Sequence, residues 1–179
     1  LDYETYSSPL TFTMFASDGS NQTVATFTMS ILDANEYAPV FESQSFTVPE
    51  NSEAGTQIGD FVATDQDNDP ISFAFVTNLD TDGDGTAAFR IENNTLVVND
   101  AGDLNFEAGA SMDVTVTASD GERTTDAVIS VGLTDVNEAP SLIVTGFSLP
   151  EESIIDTIVG VLSATDEDGD ALSFSIVNN

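Results

Sequence analysis

VPENSEAGTQIGDFVATDQDNDPISFAFV, residues 48–76, returns as LPEESIIDTIVGVLSATDEDGDALSFSIV at residues 149–177. The offset is constant along the stretch: Pro49 matches Pro150, Asp65 matches Asp166 and Asp67 matches Asp168. An acidic phrase recurs with it, DANEYAPVF at 33–41 and DVNEAPSL at 135–142, as does ASDG at 16–19 and 118–121. Self-similarity at a fixed period is the mark of a tandem array, and here the period is that of one small β domain. The matching positions are mostly carboxylates rather than core residues alone. That points to metal ions held between repeats.

Period-2 alternation supplies the strands. Phe12, Met14 and Ala16 alternate with Thr11, Thr13 and Phe15; their counterparts Val114, Val116 and Ala118 alternate with Thr115, Thr117 and Ser119. Phe27, Met29 and Ile31 match Ile129, Val131 and Leu133. One apolar face and one Thr/Ser-rich face is what a sandwich strand requires. Turns are expected at Asp18-Gly19, Asn93-Asn94, Asp120-Gly121 and the Gly-rich stretch 83–85. No window has a helical period. Roughly seven strands in about one hundred residues predicts an all-β fold of tandem Greek-key β-sandwich repeats.

The repeat grammar divides the chain into 1–39, the C-terminal half of one repeat, 40–139, a complete repeat, and 140–179, the N-terminal half of another. The segment ending at Asn179 aligns with the one ending at Asn78. With no initiating Met, the chain reads as an internal piece of a longer protein. The two halves leave apolar strand faces uncovered, and the counterpart of 79–103 is missing from both. An excerpt is therefore expected in preference to halves that pair between chains.

Composition narrows the function. The chain has 32 acidic residues against two basic ones, Arg90 and Arg123, no His and no Cys, for a net charge of -30. Compaction must overcome self-repulsion unless cations bind or salt screens the charge. Nucleic acid and anionic membranes are excluded as partners on the same ground. The hydrophobic fraction of 40% is enough for a core in each repeat, so this is no disordered acidic tail. No apolar run approaches the ~18 residues of a membrane span, so no direct membrane insertion is expected.

Calcium is a hard cation that takes about 6–8 oxygen ligands. In an extended segment, side chains at i and i+2 share a face, so Asp65 and Asp67 can grip one ion, as can Asp166 and Asp168. In the linker, Asp33 and Asn35 point one way and Glu36 the other, serving ions on two sides. Pro39 and Pro140 then set the chain extended into the next domain. Turn-forming Asp, Asn and Pro on a salt-adapted surface are the alternative, but random acidity would not place carboxylates at the same offsets in each repeat.

These phrases together resemble the cadherin repeat family over nearly the whole chain. The resemblance rests on Pro-Glu-Asn at 49–51, Asp-x-Asp at 65–67, Leu-Asx-aromatic-Glu at 1–4 and 104–107, Ala-x-Asp at 118–120 and the Asp-x-Asn-acid…Pro linkers. It implies a rod of cadherin-like, Ig-like sandwiches whose junctions bind several Ca2+ ions. Carried over, the first junction would use Asp2, Glu4, Asp33, Asn35, Glu36, Asp65, Asp67 and Asp120. The second would use Glu50, Asn105, Glu107, Asp135, Asn137, Glu138, Asp166 and Asp168. The linkers depart from the family pattern: Glu36 and Glu138 replace an Asp, Tyr37 replaces an Asn, and the second linker is one residue shorter. The ASDG and DxDGD phrases resemble bacterial cadherin-like repeats more than animal ones.

A separate candidate is DTDGDG at 80–85. Asp80, Asp82 and Asp84 with Gly85 match the start of an EF-hand loop. The twelfth position is Ile91, Glu92 comes one late, and no helices flank the loop. A polar loop between strands is an equal alternative.

The leading expectation is an extracellular, calcium-rigidified adhesive or spacer rod in a large bacterial surface or secreted protein with a membrane-associated parent. Its partners would be other cadherin-like repeats or surface adhesins, by homophilic or heterophilic contact. The alternative is a calcium-dependent polysaccharide-binding module. Trp is absent, and Tyr3 matches core-like Phe106, leaving Tyr6 and Tyr37 as sugar platforms. Catalysis is not expected, because the available carboxylates are better explained as ligands. Asp67 and Glu107 are expected to matter more for metal than acids outside the motifs, such as Asp103.

Overall fold

The computed structural model describes residues 2–6, 9–143 and 146–177; Leu1 of the first Leu-Asx-aromatic-Glu phrase and Asn179 lie outside that range. There is no helix among the described residues, and all thirteen regular elements are strands. β1 (Leu10–Ser17) and β2 (Gln22–Met29) form an antiparallel hairpin. Its turn falls at Asp18-Gly19, with Gly19 at φ 90° and the Asp18 carboxylate accepting the Ser20 and Asn21 amides at 2.8 and 2.7 Å.

The central sandwich runs from β3 (Val40–Phe41) to β11 (Thr124–Thr134). Between them lie β4 (Gln44–Pro49), β5 (Gln57–Asp60), β6 (Ala63–Thr64), β7 (Ser72–Thr77), β8 (Phe89–Glu92), β9 (Thr95–Val98) and β10 (Ser111–Ser119). One sheet has the order β4-β11-β10-β7, the other β5-β9-β8, and β3 pairs with β6. The expected seven strands are present as nine segments. The first strand breaks at Glu42-Ser43 into β3 and β4, and the second at Phe61-Val62 into β5 and β6, each changing its partner at the break. β12 (Ser141–Ile143) and β13 (Ser163–Thr165) repeat the β3–β6 pairing in the following segment.

Alternation decides the core. Along β10, Met112, Val114, Val116 and Ala118 are buried; on β11, Val131, Ile129 and Ala127 lie opposite the first three, and Leu133 extends the same buried face. Phe89, Leu96 and Val98 close the core from the other sheet, and the Phe41, Phe61 and Phe73 rings pack with centroids 5.2 to 6.0 Å apart. The β1–β2 hairpin has the same alternation but pairs only with itself among the described residues. Phe12 stacks on Phe27 at 5.2 Å, while Phe15 is 70% exposed. Tyr3, expected in a core like its counterpart Phe106, is likewise exposed, whereas Phe106 packs against the central core.

A glycine–phenylalanine contact recurs with the repeat. A Cβ on Gly59 would stand 2.4 Å from the Phe46 ring, and one on Gly160 would stand 1.9 Å from the Phe147 ring. Each ring covers backbone that only glycine leaves open, in β5 for Gly59 and in an extended segment before β13 for Gly160. Gly59→Ala is expected to destabilise the central sandwich by about 1–3 kcal/mol, the range for overpacking. Urea unfolding that gives the parent midpoint would contradict this.

The pairing scheme also gathers the acidic phrases at two poles. β4 runs parallel to β11 with Pro49 opposite Thr134, so Glu50 and Asp135 leave the sheet side by side; the Glu50 amide donates to the Thr134 carbonyl at 3.0 Å. The Asn51 amide, at φ 55°, donates to Leu104 O at 3.0 Å and brings the 104–107 phrase to the same pole. At the opposite pole, β3–β6 sets the 33–39 linker beside the 65–69 loop, and the pairing of Ser72 with Ser119 brings the Asp120 turn to both.

Candidate metal centre

At the first junction the carboxylates are each half used. Asp67 Oδ2 accepts the Glu36 and Tyr37 amides at 3.0 and 2.8 Å, which ties the linker to the repeat that follows. Asp65 Oδ1 accepts the Asp67 and Asp69 amides at 2.9 and 3.3 Å, and Asp120 Oδ1 accepts those of Glu122 and Arg123 at 2.7 and 2.6 Å. The second oxygen of each, Asp67 Oδ1, Asp65 Oδ2 and Asp120 Oδ2, is buried without a hydrogen-bond partner, as are Glu4 Oε1 and Asn35 Oδ1. Buried acceptors without partners are rare and costly in folded proteins. Oxygens of Glu4, Glu36 and Asp67 lie within 4.8 Å of one another, and so do oxygens of Asp65, Asp67 and Asp69.

The second junction is built on Glu50, which is 2% exposed. Its two oxygens accept the Phe106 and Val136 amides at 2.7 and 2.8 Å, fixing the 104–107 turn and the linker to one residue. Asp168 Oδ2 accepts the Glu138 amide at 2.9 Å, as Asp67 accepts that of Glu36 at the first junction. Glu138 Oε1 accepts from Asn51 Nδ2 at 2.5 Å, and Glu138 Oε2 is buried without a partner. Glu50, Glu107 and Glu138 form one group within 4.8 Å, and Glu107, Asp135 and Asp168 form another.

Crowding raises most of the shifted carboxyls above their usual range. Burial and the Asp65 charge raise Asp69, with Asp33, Asp67 and Asp120 adding to the rise. Burial and Asp168 raise Asp135, and burial and Glu50 raise Glu138. Glu107 and Glu4 are held down by their own backbone amides, but burial and neighbouring acids win and both end raised. Asp120 moves the other way: burial opposes it, but the Arg123 and Glu122 amides and the Arg123 charge bring it down.

Most of the sixteen residues named from the sequence meet at these two poles. Asp33 joins no group of three but raises Glu4 and Asp69 by its charge, and Asn35 adjoins Asp120. Asp2 and Asn105 serve their own turns. Asp2 Oδ1 accepts the Glu4 and Thr5 amides at 3.1 Å, and Asn105 Oδ1 accepts that of Ala108 at 2.6 Å. Asn137 donates to the Glu138 carbonyl at 2.9 Å, and Asp166 accepts the Asp170 amide at 3.0 Å. Two acids were missed. Asp69 completes the group with Asp65 and Asp67, and its counterpart Asp170 raises Asp135. Extending the i, i+2 reading to i+4 would have found both.

Asp103 lies outside the motifs and belongs to neither group of junction acids. It is 3% exposed and accepts the Thr81 hydroxyl at 2.9 Å and the Asp82 amide at 3.1 Å. A lone acid with no period gives no sign of this, because its burial is set by a loop distant in sequence.

The fold and these poles define a tandem β-sandwich protein with carboxylate-lined joints between its repeats. Residues 44–134 match the cadherin domain, and the chain belongs to the cadherin family. It is 28% identical over 171 residues to protocadherin gamma-A2 of Pan troglodytes, covering 90% of this chain but only 18% of that relative. The extracellular cadherin domains 1–5 of protocadherin gamma B2 align over 93% of this chain and 33% of theirs, with TM-score 0.62 and 26% identity. The protocadherin gammaB7 EC3-6 cis-dimer structure aligns over 93% of this chain and 45% of its own, with TM-score 0.65 and 21% identity, which is a likeness of fold. Cadherin domains bind calcium in general, and the family is one of adhesion proteins, not enzymes. The chain accordingly belongs outside the cell or at its surface. No helix among the described residues is long and apolar enough to cross a membrane.

Proposed function

We propose that this chain is a calcium-rigidified segment of an adhesive or spacer rod, with ions held at the joints between its repeats. Residues 40–139 form the whole repeat, 1–39 carry late strands of the one before, and 140–179 carry early strands of the one after. The recurrence of β10–β11 in the β1–β2 hairpin, and of β3–β6 in β12–β13, supports that division. The observation that carries the metal reading is the half-used carboxylate. Asp65, Asp67 and Asp120 each spend one oxygen on backbone amides and bury the other without a partner. A hard cation that collects oxygens satisfies all of these at once. Glu4, Asp33, Asn35 and Glu36 complete the first joint, with Asp2 supporting its turn. Glu50, Glu107, Asp135, Glu138, Asp166 and Asp168 form the second, with Asn105 and Asn137 shaping the backbone. Asp69 and Asp170 join them.

The partner is another cadherin repeat, in the same kind of chain or a different one. The bacterial setting rests on the ASDG and DxDGD phrases alone. Small-angle scattering of the chain tests the reading. In calcium the profile should be that of a rigid rod, and in chelator at equal ionic strength that of a flexible one. Identical profiles would overturn it. Calcium-dependent retention on insoluble polysaccharide would favour the carbohydrate-binding alternative instead.

A further inference from the structure

The chain has two basic residues, and they are placed differently. Arg90 lies in β8 on the flank of the central sandwich, paired with Glu92 at 2.9 Å and donating to the Val98 carbonyl at 2.9 Å. Arg123 is exposed in the turn between β10 and β11, at the pole where the first joint gathers its acids. Its Nε donates to the Asn35 carbonyl of the linker at 3.3 Å.

Among the described residues Arg123 forms no salt bridge, although Asp33, Asp65, Asp67, Asp69 and Asp120 stand at the same pole. The carboxylates face one another instead. Oxygens of Asp65, Asp67 and Asp69 lie within 4.8 Å, and Asp65 Oδ2, Asp67 Oδ1 and Asp120 Oδ2 are buried without a partner. Arg123 therefore stands at the rim, anchored to backbone, and leaves the inward oxygens free. Its charge still reaches them. Burial pushes the Asp120 carboxyl up, but the Arg123 and Glu122 amides, Asn35 and the Arg123 charge bring it down.

The turn itself does not need an arginine. Asp18 Oδ1 accepts the Ser20 and Asn21 amides at 2.8 and 2.7 Å, just as Asp120 Oδ1 accepts those of Glu122 and Arg123 at 2.7 and 2.6 Å. Asn21 takes the place of Arg123 there, so the backbone amides shape the turn whatever side chain follows. Nor does the linker depend on Arg123. Asp67 Oδ2 accepts the Glu36 and Tyr37 amides at 3.0 and 2.8 Å, and the Thr125 hydroxyl donates to the Pro39 carbonyl at 2.6 Å. Those bonds keep the linker on the central repeat when the exposed contact to Asn35 is lost. What is left to Arg123 is its charge.

We infer, taking calcium to fill the first joint as proposed above, that Arg123 is a built-in cation that sets the calcium threshold of that joint. Without calcium it offsets part of the repulsion between the acids and stabilises the pole. When calcium arrives, the same charge repels the divalent ion and weakens its binding. The joint then fills at a higher calcium concentration than its carboxylates alone would set. Because Asn21 takes the same place without a charge, the threshold can differ between joints through one turn residue.

Calcium chloride titration of the whole chain at low ionic strength, followed by amide resonances, tests this. In Arg123→Gln, half-saturation of the Glu36 and Tyr37 shifts should fall about three- to tenfold, the reach of one exposed charge on a divalent ion. Glu138, at the other joint, should titrate as in the parent. Arg123→Lys keeps the charge without the guanidinium and should match the parent. In chelator the melting temperature of Arg123→Gln should fall by several degrees, and both differences should disappear in molar salt. Half-saturation that holds or rises in Arg123→Gln, or that changes alike in the Gln and Lys variants, would overturn the role of Arg123. So would a change that survives molar salt, or a melting temperature in chelator that holds or rises. A parent chain whose Glu36 and Tyr37 amides never respond to calcium would overturn the calcium joint itself, and the threshold with it.

Discussion

Calcium near millimolar concentration is expected to raise the melting temperature of this chain by tens of degrees relative to chelator. Only the folded state assembles the sites, so each site adds stability by mass action: about 1.4 kcal/mol when calcium is at ten times its dissociation constant. For a domain of about one hundred residues, 1 kcal/mol moves the midpoint by roughly 4–8 °C, so a site filled to that degree is worth on the order of 6–11 °C, and several such sites together give the tens of degrees expected. Extracellular calcium modules bind at roughly 0.1–1 mM, so the effect should develop across that range. Magnesium should do less. The pH dependence gives a sharper form of the same result. Glu4, Asp69, Glu107, Asp135 and Glu138 are raised in the folded state, so without divalent ions the folded chain holds more protons than the unfolded one. Stability in chelator then falls as pH rises from the usual carboxylate values through the raised ones. Asp2, Asp18 and Asp120 are lowered and oppose this, but they are fewer. In calcium the sign reverses, because the ion binds the deprotonated groups and acidification through that window expels it. Melting curves that coincide in calcium and chelator, or that shift with pH in the same direction in both, would sink the junction assignment.

The sequence was legible wherever a residue's role is set by its own neighbours. β10 and β11 alternate with period two because one face of each meets the core, so Val114, Val116, Ile129 and Val131 could be assigned from the pattern alone. The acids that gather at the two poles were legible for a different reason: they recur at the same offset in each repeat. What stayed hidden depends on approach between distant segments. Glu50 was named, but nothing local shows that its two oxygens bind Phe106 and Val136 together. The parallel pairing of Pro49 with Thr134 creates that arrangement. Nor does anything local show the burial of Asp103, whose partners, Thr81 and Asp82, sit across two loops. The Gly59–Phe46 contact recurs as Gly160–Phe147, yet a small and a large residue at fixed spacing carry no chemistry that would mark them.

Asp67→Asn is expected to separate metal binding from folding at the first joint. Asp67 is 5% exposed and is the one residue shared by both first-junction groups among the described residues, that with Glu4 and Glu36 and that with Asp65 and Asp69. Glu107 holds the same shared position at the second joint. Asparagine keeps an oxygen for the Glu36 and Tyr37 amides but turns an NH2 toward the place where Asp67 Oδ1 faces the other carboxylates. Its hydrogens repel a cation, and affinity at the first joint should fall by about 10–100-fold; supporting groups alone account for such losses when removed from metal sites. In chelator the same change removes one of several crowded negative charges, so the melting temperature should hold or rise. Asp67→Ala should behave differently, because it also removes the acceptor for the two linker amides, and hydrogen bonds to a charged group contribute about 1.5–3 kcal/mol each. It should therefore lose stability in chelator as well as in calcium. Glu107→Gln should weaken the second joint and leave the first intact. Calorimetric titrations with parent stoichiometry and affinity in both Asp67→Asn and Glu107→Gln would refute the assignment, whereas a loss confined to the substituted joint in each would establish that the two joints fill independently.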